Sequence, residues 1–167
     1  MTDQLVGALG LAEDRVADVV RLLIERGQTV ATAESLTAGL VTAVLTTVPG
    51  SSAVVRGGLV VYATDLKASL AGVPAALLAE HGAVHPDVAI ALAEGARATC
   101  GSDWGIGLTG VAGPDPQDGV APGRVYLGLA GPTGTSSRVL NLPGDRHAVR
   151  SASVGAAIDA IHMALTG

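Results

Sequence analysis

The chain has one cysteine, Cys100, and no phenylalanine; one tryptophan and two tyrosines bring its aromatic content to 2%. A single cysteine excludes an internal disulfide framework, and a reducing, cytoplasmic setting is expected. With so few aromatic rings, the core has to be assembled from Ala, Val, Leu and Ile. Basic residues are also scarce: ten Lys and Arg against fifteen Asp and Glu give a net charge of −5. A chain of that sign offers no broad basic face to a phosphate backbone, so nucleic acid is not an expected partner. One small anion needs only a local Arg or a helix N-terminus, so a nucleotide-sized ligand stays open. No apolar run reaches the roughly 18 residues of a membrane helix. The opening Met1-Thr2-Asp3-Gln4 lacks the basic-then-apolar pattern of a secretory signal, so no membrane partner is expected.

What is present is glycine, 23 of 167 residues, and a hydrophobic fraction of 49%. The length fits one domain, and such a domain buries roughly 70% of the surface its unfolded chain exposes. Apolar spacing predicts an amphipathic helix over 9–26, stopped by Gly27, and a short strand over 28–33. A second helix is read over 36–48, ended by Pro49-Gly50. A strand over 57–62 and a short helix over 64–70 follow. Helices over 74–80 and 86–99 each open with a proline. Strands are read over 103–108, 124–130 and 136–140, the last two joined by a hairpin at 131–134, and a final helix over 145–165. Early alternation of strands and helices, then a hairpin, predicts a single three-layer α/β/α domain with a mixed sheet. The segment 109–123 holds four Gly and three Pro; structureless loops of that length in compact domains are usually functional or disordered.

In open α/β sheets, ligands bind beyond the carboxyl ends of the strands. Three strands end in polar or glycine-rich junctions: Glu34-Ser35, Tyr62 with Lys67 shortly after, and Thr109-Gly110. If those strands are parallel neighbours, Ser35, Tyr62, Lys67 and Thr109 converge. The four histidines, His81, His85, His147 and His162, have no metal-ligand spacing, and no metal or cofactor is expected. No Ser-His-Asp order is evident either. A serine hydroxyl needs a base to take its proton, and a lysine serves only when its amine is neutral, through burial or a nearby cation. Lys67 is the only lysine in the chain. Taken singly, each residue has an ordinary reading: Ser35 as a helix cap, Ser52 as a turn residue, Lys67 as a solvated charge, Tyr62 as a half-buried core residue.

The segment Ala33-Glu34-Ser35-Leu36-Thr37-Ala38-Gly39-Leu40 resembles the A-E-S-x-T-G-G motif of the CinA C-terminal domain family. Pro49-Gly50-Ser51-Ser52, the strand Gly57–Tyr62 with Lys67, Leu108–Pro114 and Gly144-Asp145-Arg146 are similar to its other motifs, in order across roughly residues 9–165. The resemblance implies a nicotinamide-nucleotide amidase, which hydrolyses nicotinamide mononucleotide to nicotinate mononucleotide and ammonia. It implies Ser52 as nucleophile and Lys67 as general base, with Ser35, Tyr62 and Thr109 placing the dyad and the carboxamide. Backbone N–H groups near Ser52 and Ala53 would form an oxyanion hole, with Gly110 also lining the substrate. Arg146 and the last helix's N-terminus would hold the 5′-phosphate. A homo-oligomer is expected by the same analogy. Ala38 and Ala53 stand where relatives often carry Gly.

One geometric difficulty accompanies that assignment. Were 53–62 a straight strand, Ser52 and Lys67 would lie roughly 30 Å apart at about 3.3 Å per residue. A Ser52–Lys67 dyad therefore expects a turn within Val54–Gly58, which Gly57-Gly58 would permit. Without it, Ser35 is the better nucleophile, or the dyad is completed across a subunit boundary. The alternative function is a nucleotide-binding module that kept the pocket without turnover.

Overall fold

Gly10 divides the first apolar stretch. The computed structural model describes residues 3–167; the helix expected over 9–26 begins only at Glu13, as α2 (Glu13–Arg26), and a short unexpected helix, α1 (Gln4–Ala8), precedes it. Between them Gly10 takes φ +66, which breaks the ladder. Asp3 caps α1 by accepting from the Leu5 and Val6 N–H groups. The rest of the chain gives β1 (Val30–Glu34), α3 (Leu40–Thr46), a 3-10 turn (Ser51–Ala53), β2 (Val55–Val60), α4 (Thr64–Ala71) and α5 (Ala75–His81). Then come α6 (Pro86–Cys100), β3 (Trp104–Gly110), β4 (Arg124–Gly131), β5 (Gly134–Asn141) and α7 (Arg146–Thr166).

The five strands form one mixed sheet in the order β2-β1-β3-β4-β5. β1 runs parallel to both β2 and β3, so the carboxyl ends of these three strands share an edge. β4 and β5 complete the sheet as an antiparallel hairpin. On one face α2, α3 and α7 pack over Val30, Ile106, Leu108, Val125 and Leu127. On the other, α4, α5 and α6 cover Ala31, Ala33, Leu59 and Val61. The result is the expected three-layer α/β/α domain.

The missing aromatic volume is replaced by close approach. α6 lies directly on a lane of glycines in β3 and β4. A Cβ built on Gly107 would stand 2.4 Å from the Ala89 carbonyl oxygen, and one on Gly128 would stand 2.1 Å from the same atom. Nothing larger than hydrogen fits between helix and sheet there. The sequence segment Trp-Gly-Ile-Gly-Leu thus turns Ile106 and Leu108 towards one core and leaves a glycine floor for α6 on the other.

Gly57-Gly58 does not make the expected turn. Val30 pairs with Val55 and Ala31 with Gly57, so one extra residue bulges at Arg56 while the strand continues. The helix expected over 36–48 also begins late. Residues 35–39 wind through a turn in which Ala38 has φ +48 and Gly39 φ +93, and α3 starts only at Leu40. Among the described residues no helix is long and apolar enough to cross a membrane.

Candidate active site

β1 is buried on both faces, and its last residue is a glutamate. The Glu34 carboxylate, fully buried, accepts from the Gly39, Val41 and Thr42 N–H groups and from the Thr32 and Thr42 hydroxyls. It caps α3 from inside the protein and satisfies donors that the helix start would otherwise leave open. That capping winds residues 35–39 back over the sheet edge. The Ser35 N–H donates to the Leu108 carbonyl at 3.0 Å, and the Arg150 Nε of α7 donates to the Leu36 carbonyl at 2.9 Å. Ser35 is therefore held at the carboxyl edge by its own backbone, by β3 and by α7.

Lys67, one turn into α4, reaches the same point. Its Nζ donates to Ser35 Oγ at 3.1 Å, to the Val61 carbonyl at 2.8 Å and to the Tyr62 carbonyl at 3.3 Å. The side chain is 1% exposed. Burial lowers the amine from the ordinary lysine value of 10.5 to about 8, against an upward pull from the Asp118 carboxylate. Two carbonyls can only accept, so they hold two N–H bonds of the amine. When the amine is neutral, its lone pair is left for the Ser35 hydroxyl.

A cleft of about 280 Å³ opens beside this pair, lined by Ser35, Tyr62, Thr64, Thr109, Gly110 and Arg146 among others. Thr109, buried at the end of β3, donates from Oγ1 to the Ala83 carbonyl at 2.6 Å and ties down the turn before α6. Gly110 pairs with Val125, and a Cβ there would meet the Arg124 carbonyl oxygen at 2.8 Å. Tyr62 is 57% exposed, and its hydroxyl accepts from the Arg146 guanidinium at 2.9 Å. Arg146 also donates to the Gly113 carbonyl at 2.8 Å, which holds the long loop. A larger groove, about 750 Å³, lies between α2 and α7. Its charged residues Arg15 and Asp159 pair at the surface at 3.6 Å, and no buried nucleophile or base lines it; the buried serine–lysine pair lies at the smaller cleft.

Three expectations are corrected. Ser52 is exposed in the 3-10 turn before β2, whereas Lys67 follows the other end of that strand. The strand alone separates them by roughly 17 Å at about 3.3 Å per residue, so within one chain the lysine meets Ser35. The Ala53 N–H is already given to the Gly50 carbonyl at 3.1 Å, and it forms no oxyanion hole at the cleft. The N-terminus of α7 is occupied in part by its own cap, because Asp145 accepts from the Ala148 N–H at 2.9 Å. That leaves Arg146 as the cleft's cation.

Two residues of the segment that carries Ser35 escaped the sequence reading. Glu34 could have been found: a carboxylate closing a largely apolar strand demands several donors. Thr37 is fully buried, and its hydroxyl has no hydrogen-bond partner among the described residues. Among the described residues no group of three or more His, Cys, Asp or Glu could hold a metal ion.

A covered mixed sheet with a buried serine–lysine contact at its carboxyl edge defines a three-layer α/β domain. Residues 12–165 match the CinA C-terminal domain, and the chain belongs to that family. It is 48% identical over 162 residues to a CinA-like protein of Frankia casuarinae, covering 96% of this chain and 37% of that one. It is 44% identical to a CinA-like protein of Geobacter sulfurreducens, covering 93% and 41%. The chain thus spans well under half the length of these relatives. Among solved structures, the competence/damage inducible protein CihA from Agrobacterium tumefaciens superposes with a TM-score of 0.88 at 31% identity, covering 93% and 95% of the two chains. The competence damage-inducible protein A from Klebsiella pneumoniae gives 0.89 at 30% identity, covering 92% and 96%.

Proposed function

We propose that this chain is an amidase that hydrolyses the carboxamide of nicotinamide mononucleotide, with Ser35 as nucleophile and Lys67 as general base. The observation that carries the reading is the buried Lys67 amine, 3.1 Å from Ser35 Oγ, with its other two hydrogen-bond partners restricted to carbonyls. An amine titrating near 8 is neutral in roughly one molecule in ten at pH 7. That is enough for a base poised near working pH.

In the first half-reaction Nζ takes the Ser35 proton as Oγ bonds to the carboxamide carbon. The tetrahedral adduct collapses, the C–N bond breaks, and the leaving amine departs as ammonia with the proton from Nζ. The ester left on Ser35 is then attacked by water, whose proton passes to the same amine. The carbon–Oγ bond breaks, Oγ recovers a proton and nicotinate mononucleotide leaves. Arg146 at the cleft mouth supplies the cation for the 5′-phosphate, in a position to exchange its protein acceptors for phosphate oxygens. No cofactor enters this chemistry.

The test is ammonia release from nicotinamide mononucleotide. Ser35→Ala and Lys67→Met lose turnover by about 1,000-fold or more, while Ser52→Ala stays within a few-fold of wild type. Loss in Ser52→Ala with full activity in Ser35→Ala would reverse the nucleophile assignment. Mixing Ser52→Ala with Lys67→Met chains would then show, by recovered activity, whether Ser52 of the partner subunit serves this cleft. Ligand-dependent thermal stabilisation without any ammonia would mark a binding module instead. Wild-type kcat/KM rises with pH through about 8, because the working form of Lys67 is the deprotonated one.

A further inference from the structure

Arg146 and Arg150 stand four residues apart on α7, so they share one face of the helix, about 6 Å apart along its axis. Arg146 reaches the cleft mouth, where its guanidinium donates to the Tyr62 hydroxyl and the Gly113 carbonyl. Arg150 is half-buried and turns to the segment that carries the nucleophile: its Nε donates to the Leu36 carbonyl at 2.9 Å. Residues 35–39 form a turn that satisfies its flanking carbonyls from within. The Ala38 N–H donates to the Ser35 carbonyl and the Leu40 N–H to the Thr37 carbonyl, both at 3.0 Å. The Leu36 carbonyl between them takes no backbone donor among the described residues. Leu36 is buried, and a buried carbonyl needs a donor. Arg150 supplies it. Ser35, Leu36 and Arg146 line the cleft, and Arg150 stands behind them without lining it.

We propose that Arg150 is a positioning residue of the amidase site, tying the Ser35 turn to the helix that grips the substrate's 5′-phosphate. This rests on the amidase reading and adds to it the link between the two ends of the substrate. Attack needs the carboxamide carbon held about 3–3.5 Å from Ser35 Oγ. Arg146 fixes one end of the nucleotide and Ser35 attacks the other, yet they sit on different elements, α7 and the turn after β1. Glu34 holds that turn through the Gly39, Val41 and Thr42 N–H groups, and the Ser35 N–H holds it to β3. Neither set of bonds reaches α7. The bond from Arg150 does, and it joins the residue next to the nucleophile to a point one helical turn from the phosphate cation. Gripping the phosphate then places the carboxamide at Ser35 only while that bond stands, because an error of about 1 Å in such a distance costs on the order of 100-fold in rate.

The test compares nicotinamide mononucleotide with nicotinamide riboside, which has the same carboxamide and no phosphate. In wild type the nucleotide at saturation is turned over about tenfold faster, or more, than the riboside. Arg150→Met keeps an apolar stem and loses the donor. It lowers kcat for the nucleotide about tenfold and leaves KM within a few-fold, since Arg146 is intact. The riboside, which Arg146 does not grip, loses far less. Arg150→Lys, whose amine can still donate to the Leu36 carbonyl, recovers most of the rate. An equal loss on both substrates would reduce Arg150 to a support of the fold, and a rise in KM for the nucleotide alone would make it a second phosphate ligand; either result overturns the proposal. Amide hydrogen exchange over residues 35–39 reads the same tie without turnover. Saturating nicotinate mononucleotide slows it in wild type and not in Arg150→Met. The same response in both proteins would overturn the proposal, whatever happened to activity. Slowing that requires Arg150, in a protein that releases no ammonia, would keep the tie and reject the amidase reading.

Discussion

Ala38 sits at φ +48, in the left-handed region that L-residues enter at a cost of about 1–2 kcal/mol. Its neighbours explain why it stays there. Ala38 N–H donates to the Ser35 carbonyl, and Gly39 N–H to Glu34, so the turn that carries Ser35 is drawn tight around the buried carboxylate. Ala38 itself does not line the cleft. Ala38→Gly removes the strain and loses about 0.4–1 kcal/mol through the freer unfolded chain. The expected outcome is a gain of up to about 1 kcal/mol, or roughly 2–4 °C in Tm for a domain of this size. Turnover stays unchanged; a lower melting temperature would mean that the alanine methyl packs usefully. The Thr37 hydroxyl makes a second point at this scale. A buried hydroxyl without a partner costs about 1–3 kcal/mol, so Thr37→Val is expected to raise the denaturation midpoint unless that hydroxyl serves the substrate, in which case KM rises as stability does.

At the level of elements, apolar periodicity located nearly every helix and strand, because period 3.6 and period 2 are imprinted by burial alone. It misjudged the places where single glycines or tertiary hydrogen bonds decide. Beyond Gly10 the first expected helix starts four residues late, and residues 36–39 read as helix because Leu36 and Leu40 keep helical spacing while Glu34 pulls their backbone into a turn. The glycine pair in β2 looked like a bend and is a bulge, since parallel pairing with β1 holds the strand on course. The nucleophile role of Ser52 came from the family resemblance and required a bend to reach Lys67; the bulge leaves Ser52 at the far end of β2. The glycine floor beneath α6 is an element-scale property too. Gly128→Ala forces a methyl to within 2.1 Å of the Ala89 carbonyl oxygen, backbone against backbone. Neither side can yield without lifting α6 from the sheet. A destabilisation of about 1–3 kcal/mol or more is expected, seen as a lower urea midpoint at unchanged m. Tolerance of that methyl would show that the layers are not in contact there.

For the whole molecule, the three-layer architecture and the converging strand ends were legible because parallel β1, β2 and β3 follow from the alternation of strands with helices. The contact between Lys67 and Ser35 was not, since it joins residues 32 positions apart through two loops. That contact has a global consequence. Lys67 titrates at about 8 in the fold and at 10.5 when unfolded. Below about pH 8 both states bind the proton, and the folded state carries the full penalty of a buried ammonium. Between about 8 and 10.5 the unfolded chain holds more protons than the native one, so stability increases with pH. The 2.5-unit difference corresponds to about 3 kcal/mol in all, a large share of the 5–15 kcal/mol typical of a domain. Lys67→Met, close in volume and free of charge, removes the penalty. It should be more stable than wild type at pH 7 and lack the rise between pH 8 and 10.5, while losing amidase activity. Parallel curves would mean that the amine keeps its ordinary affinity for protons in the fold, and a lysine of that kind could not take the proton from Ser35 near neutral pH.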